Sequence, residues 1–98
     1  MSNAHVWIFN NSKGMFPGGV FTTLEIAEKW IFVNKLTGVL TQYPLDVGSY
    51  DWAKANGLVS EKLARKVTGD FVGSFSSASF LHFHYEKGEK QGVLFENE

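Results

Sequence analysis

A helix-start signal around residue 22 constrains the fold more than any other feature of this 98-residue chain. Thr22 and Glu25 have the spacing of a capping box, in which the hydroxyl accepts from the Glu25 amide and the carboxylate accepts from the Thr22 amide. Phe21 and Ile26 stand at the two positions of a hydrophobic staple. Because these local signals agree, the sequence predicts a helix over residues 23–35.

The predicted helix has an apolar stripe and a charged face. The stripe consists of Leu24, Ala27, Trp30 and Ile31, and the charged face of Glu25, Glu28, Lys29 and Lys35. Phe32 breaks this pattern, because at about 100° per residue its side chain projects among the charged residues. Either another part of the chain covers Phe32, or it is a scattered surface apolar residue, or it is an aromatic anchor for a partner.

Four runs of the sequence predict strands. Residues 5–9 are apolar on both alternating faces after the histidine, which indicates an interior strand covered on both sides. Residues 38–43 form a second strand that ends at Pro44, since proline cannot donate a ladder hydrogen bond. Residues 80–85 alternate in polarity, which indicates a third strand. Residues 93–95 are expected to return as a hairpin strand; alternatively, residues 89–98 form a C-terminal extension.

The segments between these runs predict loops and short helices. Residues 10–19 are rich in Asn, Ser, Gly and Pro and indicate a long loop, with Met15 and Phe16 folded back onto the core. Ser49 is expected to cap a helix that ends before Gly57 in the left-handed conformation. Two more short helices are expected over residues 60–66 and 68–77.

These elements predict an α+β fold in a single domain spanning residues 1–98. It has a small, mainly antiparallel sheet of about four strands, with one long helix and short helices packed on it. Residues 1–4 resemble an expression-tag remnant and carry no part of the prediction. The predicted core consists of Trp7, Ile8, Phe9, Leu24, Trp30, Ile31, Leu40, Leu81 and Phe83.

Composition narrows the classes of function. The formal net charge of −1 argues against a nucleic-acid binder, which needs clustered Lys and Arg. The absence of cysteine excludes disulfides, thiolate metal sites and cysteine nucleophiles, and it is compatible with a cytoplasmic protein. No apolar run is long enough to cross a bilayer, so no membrane association is expected.

His82 and His84 are the residues with the clearest chemical potential. Positions i and i+2 of a strand point to the same face, so both imidazoles are able to reach one ligand. A metal site needs a third ligand, and none stands at a diagnostic spacing, so no metal and no cofactor are expected. A strand face that tolerates histidine remains the simpler explanation, with proton transfer as the chemical alternative.

Asp46 and Asp51 are five residues apart and suggest a carboxylate pair. Their local settings favour structural roles, since Asp46 follows Pro-Leu in a turn and Asp51 falls in the first turn of a helix. No glycine-rich phosphate loop and no nucleophile elbow is present. No catalytic residue is therefore assigned.

Several motifs together resemble a family of small bacterial domains of unknown function. They are Val6-Trp7-Ile8-Phe9, Phe16 to Phe21, Ala27-Glu28-Lys29-Trp30-Ile31, Gly38 to Ala53, Ser77-Ala78 and His82 to Glu86. The resemblance covers roughly residues 5–88. The chain departs from the pattern in its tail, residues 89–98, and at Phe32, where a smaller or polar residue is expected.

The family is similar in size to immunity proteins, which block a cognate toxin in the cytoplasm, and this likeness is an analogy. Because no catalytic signature is present and amphipathic aromatic residues are many, we expect a non-enzymatic binding protein, most concretely an immunity protein. Some such proteins are paired with contact-dependent growth-inhibition nucleases. The residues expected to contact a protein partner are Phe32, Asp46, Tyr50, Asp51, Trp52, His82 and His84. The alternative is a small enzyme or ligand-binding domain that uses the strand face of His82 and His84.

Overall fold

A computed structural model describes residues 4–92 of the chain. Its strands are β1 (His5–Asn11), β2 (Pro17–Phe21), β3 (Gly38–Pro44), β4 (His82–Glu86) and β5 (Glu89–Lys90). Its helices are α1 (Leu24–Val33), α2 (Ser49–Ala55), α3 (Glu61–Ala64) and α4 (Gly69–Ser74). The strands form one sheet in the order β2-β1-β3-β4-β5, and every neighbouring pair is antiparallel. The α+β class is confirmed, with five strands among the described residues instead of about four.

Helix α1 covers one side of the sheet, which we call the covered face. Ala27 and Ile31 of α1 pack on the fully or nearly buried Trp7, Phe9, Leu40 and Tyr85 of the sheet, and Leu24, Trp30 and Phe83 pack around them. The stripe predicted for this helix is therefore correct. The helix is shorter than predicted, ten residues instead of thirteen, so the fold has no long helix.

The start of α1 lies one residue later than the capping box places it. The Thr23 hydroxyl accepts from the Ile26 amide at 3.2 Å, so Thr23, not Thr22, is the N-cap. With this cap, the third helical position is Ile26 instead of a glutamate, and the capping box does not form. Lys35 adopts a left-handed conformation (φ 52°) just beyond the helix, which ends it before residue 35.

Strand β2 is the element that the sequence did not reveal. Pro17, Gly18 and Gly19 are poor strand formers, but an edge strand tolerates proline at its first residue and has only one neighbour to satisfy. Met15 and Phe16, expected to fold back onto the core, are 85% and 75% exposed. That expectation is wrong, because β2 begins immediately after them and carries the chain along the edge of the sheet.

Among residues 4–92, no helix equivalent to α1 covers the opposite side of the sheet, which we call the open face. Ile8 pairs with Thr41, and Thr41 pairs with His82, so these side chains share the open face. Ile8 is half-buried, so β1 is interior in the sheet but is not covered as fully on both sides as predicted. Leu81 lies just before β4 and is 51% exposed, so its assignment to the core is wrong.

A second aromatic cluster holds the short helices together. The ring of Tyr50 on α2 meets those of Phe71 and Phe75 edge-on at 5.9 and 5.5 Å. Trp52 packs on Phe80 at 4.6 Å between ring centroids. These contacts bind α2 and α4 into a unit of their own at the Pro44 end of β3.

The short helices follow the predicted positions, with one correction. Ser60 and Thr68 cap α3 and α4 through their hydroxyls, and Gly57 is left-handed (φ 72°) as expected. Ser49, however, is the first residue of α2 and Gly48 is its N-cap, without a side-chain cap bond. The predicted strand over residues 93–95 lies outside the described residues.

Candidate functional site

The residues expected to contact a partner lie in three separate places. Asp46, Asp51 and Trp52 follow β3, whereas Phe32 lies beside the β4–β5 turn, near the beginning of β3. Seven residues of strand separate these two ends, a distance of roughly 20 Å at about 3.3 Å per residue. His82 lies on the open face of β4. The seven residues therefore do not lie together on one surface.

A cavity of about 480 Å³ opens where the covered face extends beyond α1. Its floor includes Gln42 and Pro44 of β3, and Trp52 of α2 forms one wall. The rest of its lining is Ala4, His5, Leu45, Val47, Ser79, Phe80 and Leu81. No Lys, Arg, Asp or Glu lines it, and Leu45, Val47 and Leu81 expose more than two fifths of their surface. The cavity is therefore suited to an uncharged group that enters from outside and meets both apolar side chains and the polar side chains of Gln42 and Ser79.

Two exposed aspartates stand next to lining residues of this cavity in the chain. Asp46 stands in the chain between the lining residues Leu45 and Val47, and it adopts a left-handed conformation (φ 64°) that aspartate tolerates better than most residues. Asp51 precedes Trp52 in the first turn of α2, as expected from its sequence position. A cavity of mixed polarity with acidic residues near it is complementary to a surface that carries basic side chains.

The two aromatic residues of α2 differ in accessibility. Tyr50 is 5% exposed and belongs to the cluster with Phe71 and Phe75, so it is unable to anchor a partner at the surface. Trp52 is half-buried, with its ring held against Phe80 and another side facing the cavity. Of the two, only Trp52 is accessible at the surface.

Phe32 is exposed, as its position on the helix predicts, with 53% of its surface accessible. The Lys35 ammonium lies 5.4 Å from its ring centroid. The turn between β4 and β5 packs against the backbone of this helical turn, since a Cβ on Gly88 would lie 3.2 Å from the Phe32 Cα. Phe32 is thus an isolated aromatic residue on the surface of α1, away from the cavity.

Next to this turn, a polar network ties α1 to the far edge of the sheet. The Tyr85 hydroxyl donates to Glu28 Oε2 at 2.5 Å, and the Lys90 ammonium lies 2.7 Å from the same oxygen. Lys90 also lies 4.2 Å above the ring centroid of Phe83. Burial, and then the hydrogen bond and charge of Glu28, raise the pKa of Tyr85 above its ordinary value. The network is structural, because it closes the covered face instead of lining a cavity.

His82 and His84 border a shallow groove of about 310 Å³ on the open face. Their ring centroids are 5.3 Å apart, and the groove is also lined by Val39, Thr41, Ser76, Ser77 and Ala78. His82 Nδ1 lies 2.7 Å from the Phe80 carbonyl oxygen, which fixes one nitrogen and leaves Nε2 for other contacts. The two imidazoles therefore do share a groove with hydroxyl groups, although one ring is held by the backbone.

Residues 4–92 contain neither a cluster of metal ligands nor a helix that could span a membrane. No group of three or more His, Cys, Asp or Glu side chains there is placed to hold a metal ion. No helix in the same part of the chain combines the length and apolar character that crossing a bilayer requires.

Sequence reasoning missed the apolar residues around the cavity. Leu45, Val47 and Leu81 come from two segments about 35 residues apart, and antiparallel pairing of β3 with β4 brings them together. The sequence does contain one signal. Leu45 and Val47 flank Asp46 in a turn, and apolar side chains grouped at an exposed turn indicate an interaction site.

Comparison with known proteins places the chain in a family without assigning an activity. The model of a domain of unknown function, DUF7710, matches residues 6–91. This match extends to Gln91, so the first three residues of the expected C-terminal extension belong to the domain. No match was found among curated proteins, and none among solved structures. Because the match spans most of its length, the chain belongs to the family of the domain of unknown function DUF7710.

Proposed function

We propose that the protein is a non-enzymatic binding module that receives a protein partner at the cavity beside Trp52. The observation that carries this proposal is a solvent-accessible cavity without Lys, Arg, Asp or Glu in its lining, with Asp46 and Asp51 next to lining residues in the chain. The most concrete form of the proposal is an immunity protein, which acts in the cytoplasm and occludes a cognate toxin. A nuclease of contact-dependent growth inhibition fits these two aspartates, because a nuclease cleft is basic.

The lining of the cavity supports protein binding over catalysis. Catalysis needs titratable or nucleophilic groups that converge on a substrate, and His5 is the one ionisable side chain in the lining. The half-buried Trp52 is of the residue type enriched in interface hot spots, and the exposed Leu45 and Leu81 are placed to exclude water around it on binding.

The test is binding to the product of the adjacent gene, measured by calorimetry with wild-type protein and two variants. Leu81→Asp places a charge in the cavity at a site that is half exposed, so the fold should survive. It should weaken binding by at least about tenfold. The double variant Asp46→Asn, Asp51→Asn should slow association and reduce its dependence on salt.

The matched control is Leu58→Asp, which alters an equally exposed leucine that does not line the cavity. It should bind like the wild type and protect cells that express the toxin. If Leu58→Asp weakens binding as much as Leu81→Asp does, the cavity is not the binding site. If the wild type neither binds the adjacent product nor protects against it, the immunity proposal is wrong.

A second candidate function is ligand binding or proton transfer by His82 and His84. The observation in its favour is that both rings border the groove that also contains the hydroxyl groups of Thr41, Ser76 and Ser77. Such a set of imidazoles and hydroxyls is suited to an anion such as phosphate.

Nuclear magnetic resonance of the two imidazoles tests this candidate directly. Titration with inorganic phosphate should shift the signals of both rings together and saturate at millimolar ligand or below. His84→Gln should abolish the saturation, whereas His5→Gln, which changes a histidine outside the groove, should not. Independent or absent shifts would eliminate this function.

A further inference from the structure

We propose that the free edge of β2 pairs with the same edge of a second copy of the chain. The result would be a two-fold symmetric dimer in which one antiparallel sheet runs through both copies. This contact is distinct from the cavity beside Trp52, because β2 and β3 lie on opposite sides of β1.

The two edges of the sheet differ in how they are protected. Among the described residues, β2 pairs with β1 alone and β5 pairs with β4 alone. β5 is two residues long and consists of Glu89 and Lys90, a short and charged edge that discourages further pairing. β2 is five residues long and has no charged side chain, so its outer backbone groups are open to another strand.

The sequence around this edge strand contains no charged residue. No Lys, Arg, Asp or Glu occurs from Gly14 to Leu24, a run that contains all of β2 and the turns on both sides. Pro17 stands at the first position of the strand, where it leaves the following residues free to pair. Two copies of this segment therefore approach without electrostatic repulsion.

Apolar side chains flank the edge on both faces of the sheet. On the covered face, Trp30 lies over β2, because a Cβ on Gly18 would lie 3.6 Å from its indole ring. Ile26 and Val33 neighbour Trp30 on the helix surface, at i−4 and i+3, and both are more than half exposed. On the open face, Val20 is 61% exposed.

The area of this patch fits a second copy. The exposed apolar residues around the edge are Met15, Phe16, Val20, Ile26 and Val33. From their exposed fractions they present roughly 600 Å² per copy, against about 800 Å² per partner in a stable complex, and the backbone of β2 adds to this. When β2 pairs antiparallel with β2 of a second copy, the outer backbone groups of both strands find hydrogen-bond partners. No free β2 edge remains, so the assembly closes as a dimer.

Sedimentation equilibrium of the full chain tests the proposal. At micromolar concentrations the wild type should show twice the 11.0 kDa mass of one chain. Val20→Lys and Val33→Lys place a charge on either side of the edge at exposed positions, and each should raise the dimer dissociation constant at least about tenfold. Circular dichroism and a thermal melt establish that both variants are folded.

Leu58→Lys is the matched control, since it adds the same charge at an exposed leucine of the α2–α3 connection. It should remain a dimer. A wild type that stays at 11.0 kDa up to millimolar concentration would overturn the proposal. So would a dimer that Val20→Lys and Val33→Lys leave intact, or one that Leu58→Lys weakens equally, because the contact would then lie elsewhere.

Discussion

Replacing Gly38 by alanine should destabilise the protein more than the same replacement at any other glycine among residues 4–92. A Cβ at this position would lie 2.2 Å from the Asn10 carbonyl oxygen, 2.8 Å from Phe9 Cζ and 2.9 Å from Asn11 Cα. Two of these atoms belong to the backbone of β1, which pairs with β3 at this point. Side-chain rotation is unable to relieve such contacts, so the two strands must separate by about 1 Å to restore van der Waals distances.

The expected loss combines two costs. Overpacking of a tight site costs about 1–3 kcal/mol, and each ladder hydrogen bond that stretches beyond its range costs about 1 kcal/mol more. The free energy of unfolding should therefore fall by about 3–5 kcal/mol, as measured by urea denaturation. In a domain of this size that corresponds to a melting temperature lower by more than about 12 °C.

The matched control is Gly73→Ala, the same change in the interior of α4. Nothing lies within 4 Å of a Cβ there, and alanine is the better helix former, so this variant should gain about 0.5–1 kcal/mol. A Gly38→Ala protein within about 0.5 kcal/mol of the wild type would refute the reasoning. It would mean that β1 and β3 do not pair in the register described.

Further predictions concern α1 and its contacts. Thr23→Ala should lower the free energy of unfolding in urea by about 1 kcal/mol. Thr22→Ala should change it by less than about 0.5 kcal/mol, and equal losses would contradict the N-cap assignment. The pKa of Tyr85 is raised in the folded protein, so the folded protein keeps a proton that the unfolded chain loses above about pH 10. The free energy of unfolding should therefore fall as the pH rises beyond that value. Tyr85→Phe should flatten this fall in urea midpoints measured from pH 8 to 11, and an unchanged slope would contradict the contact with Glu28. Phe32→Ala should cost less than about 1.5 kcal/mol, since half of the side chain is already exposed, and a larger loss in a thermal melt would show that Phe32 is part of the core.

The elements with regular local patterns were predictable from the sequence. The stripe of α1 and the alternation in β3 and β4 depend on side-chain periodicity, which the sequence displays directly. β2 was missed because Pro17, Gly18 and Gly19 look like a loop, and only its position at the sheet edge makes it a strand. Local propensity does not contain that information.

The candidate site was less predictable, since it depends on contacts between distant segments. Tyr50 is buried because Phe71 and Phe75 pack on its ring, and no local pattern reveals that pairing. The sequence pointed to the neighbourhood of Trp52. It gave no indication that Leu81, almost thirty residues later, lines the same cavity.

The most direct test of the central claim is a calorimetric titration of this chain with the product of its adjacent gene. The account predicts saturable binding at sub-micromolar concentration. Binding should weaken at least about tenfold in Leu81→Asp and remain unchanged in Leu58→Asp. Absence of heat with the wild type, or equal affinity for all three proteins, would contradict the claim that the cavity beside Trp52 receives a protein partner.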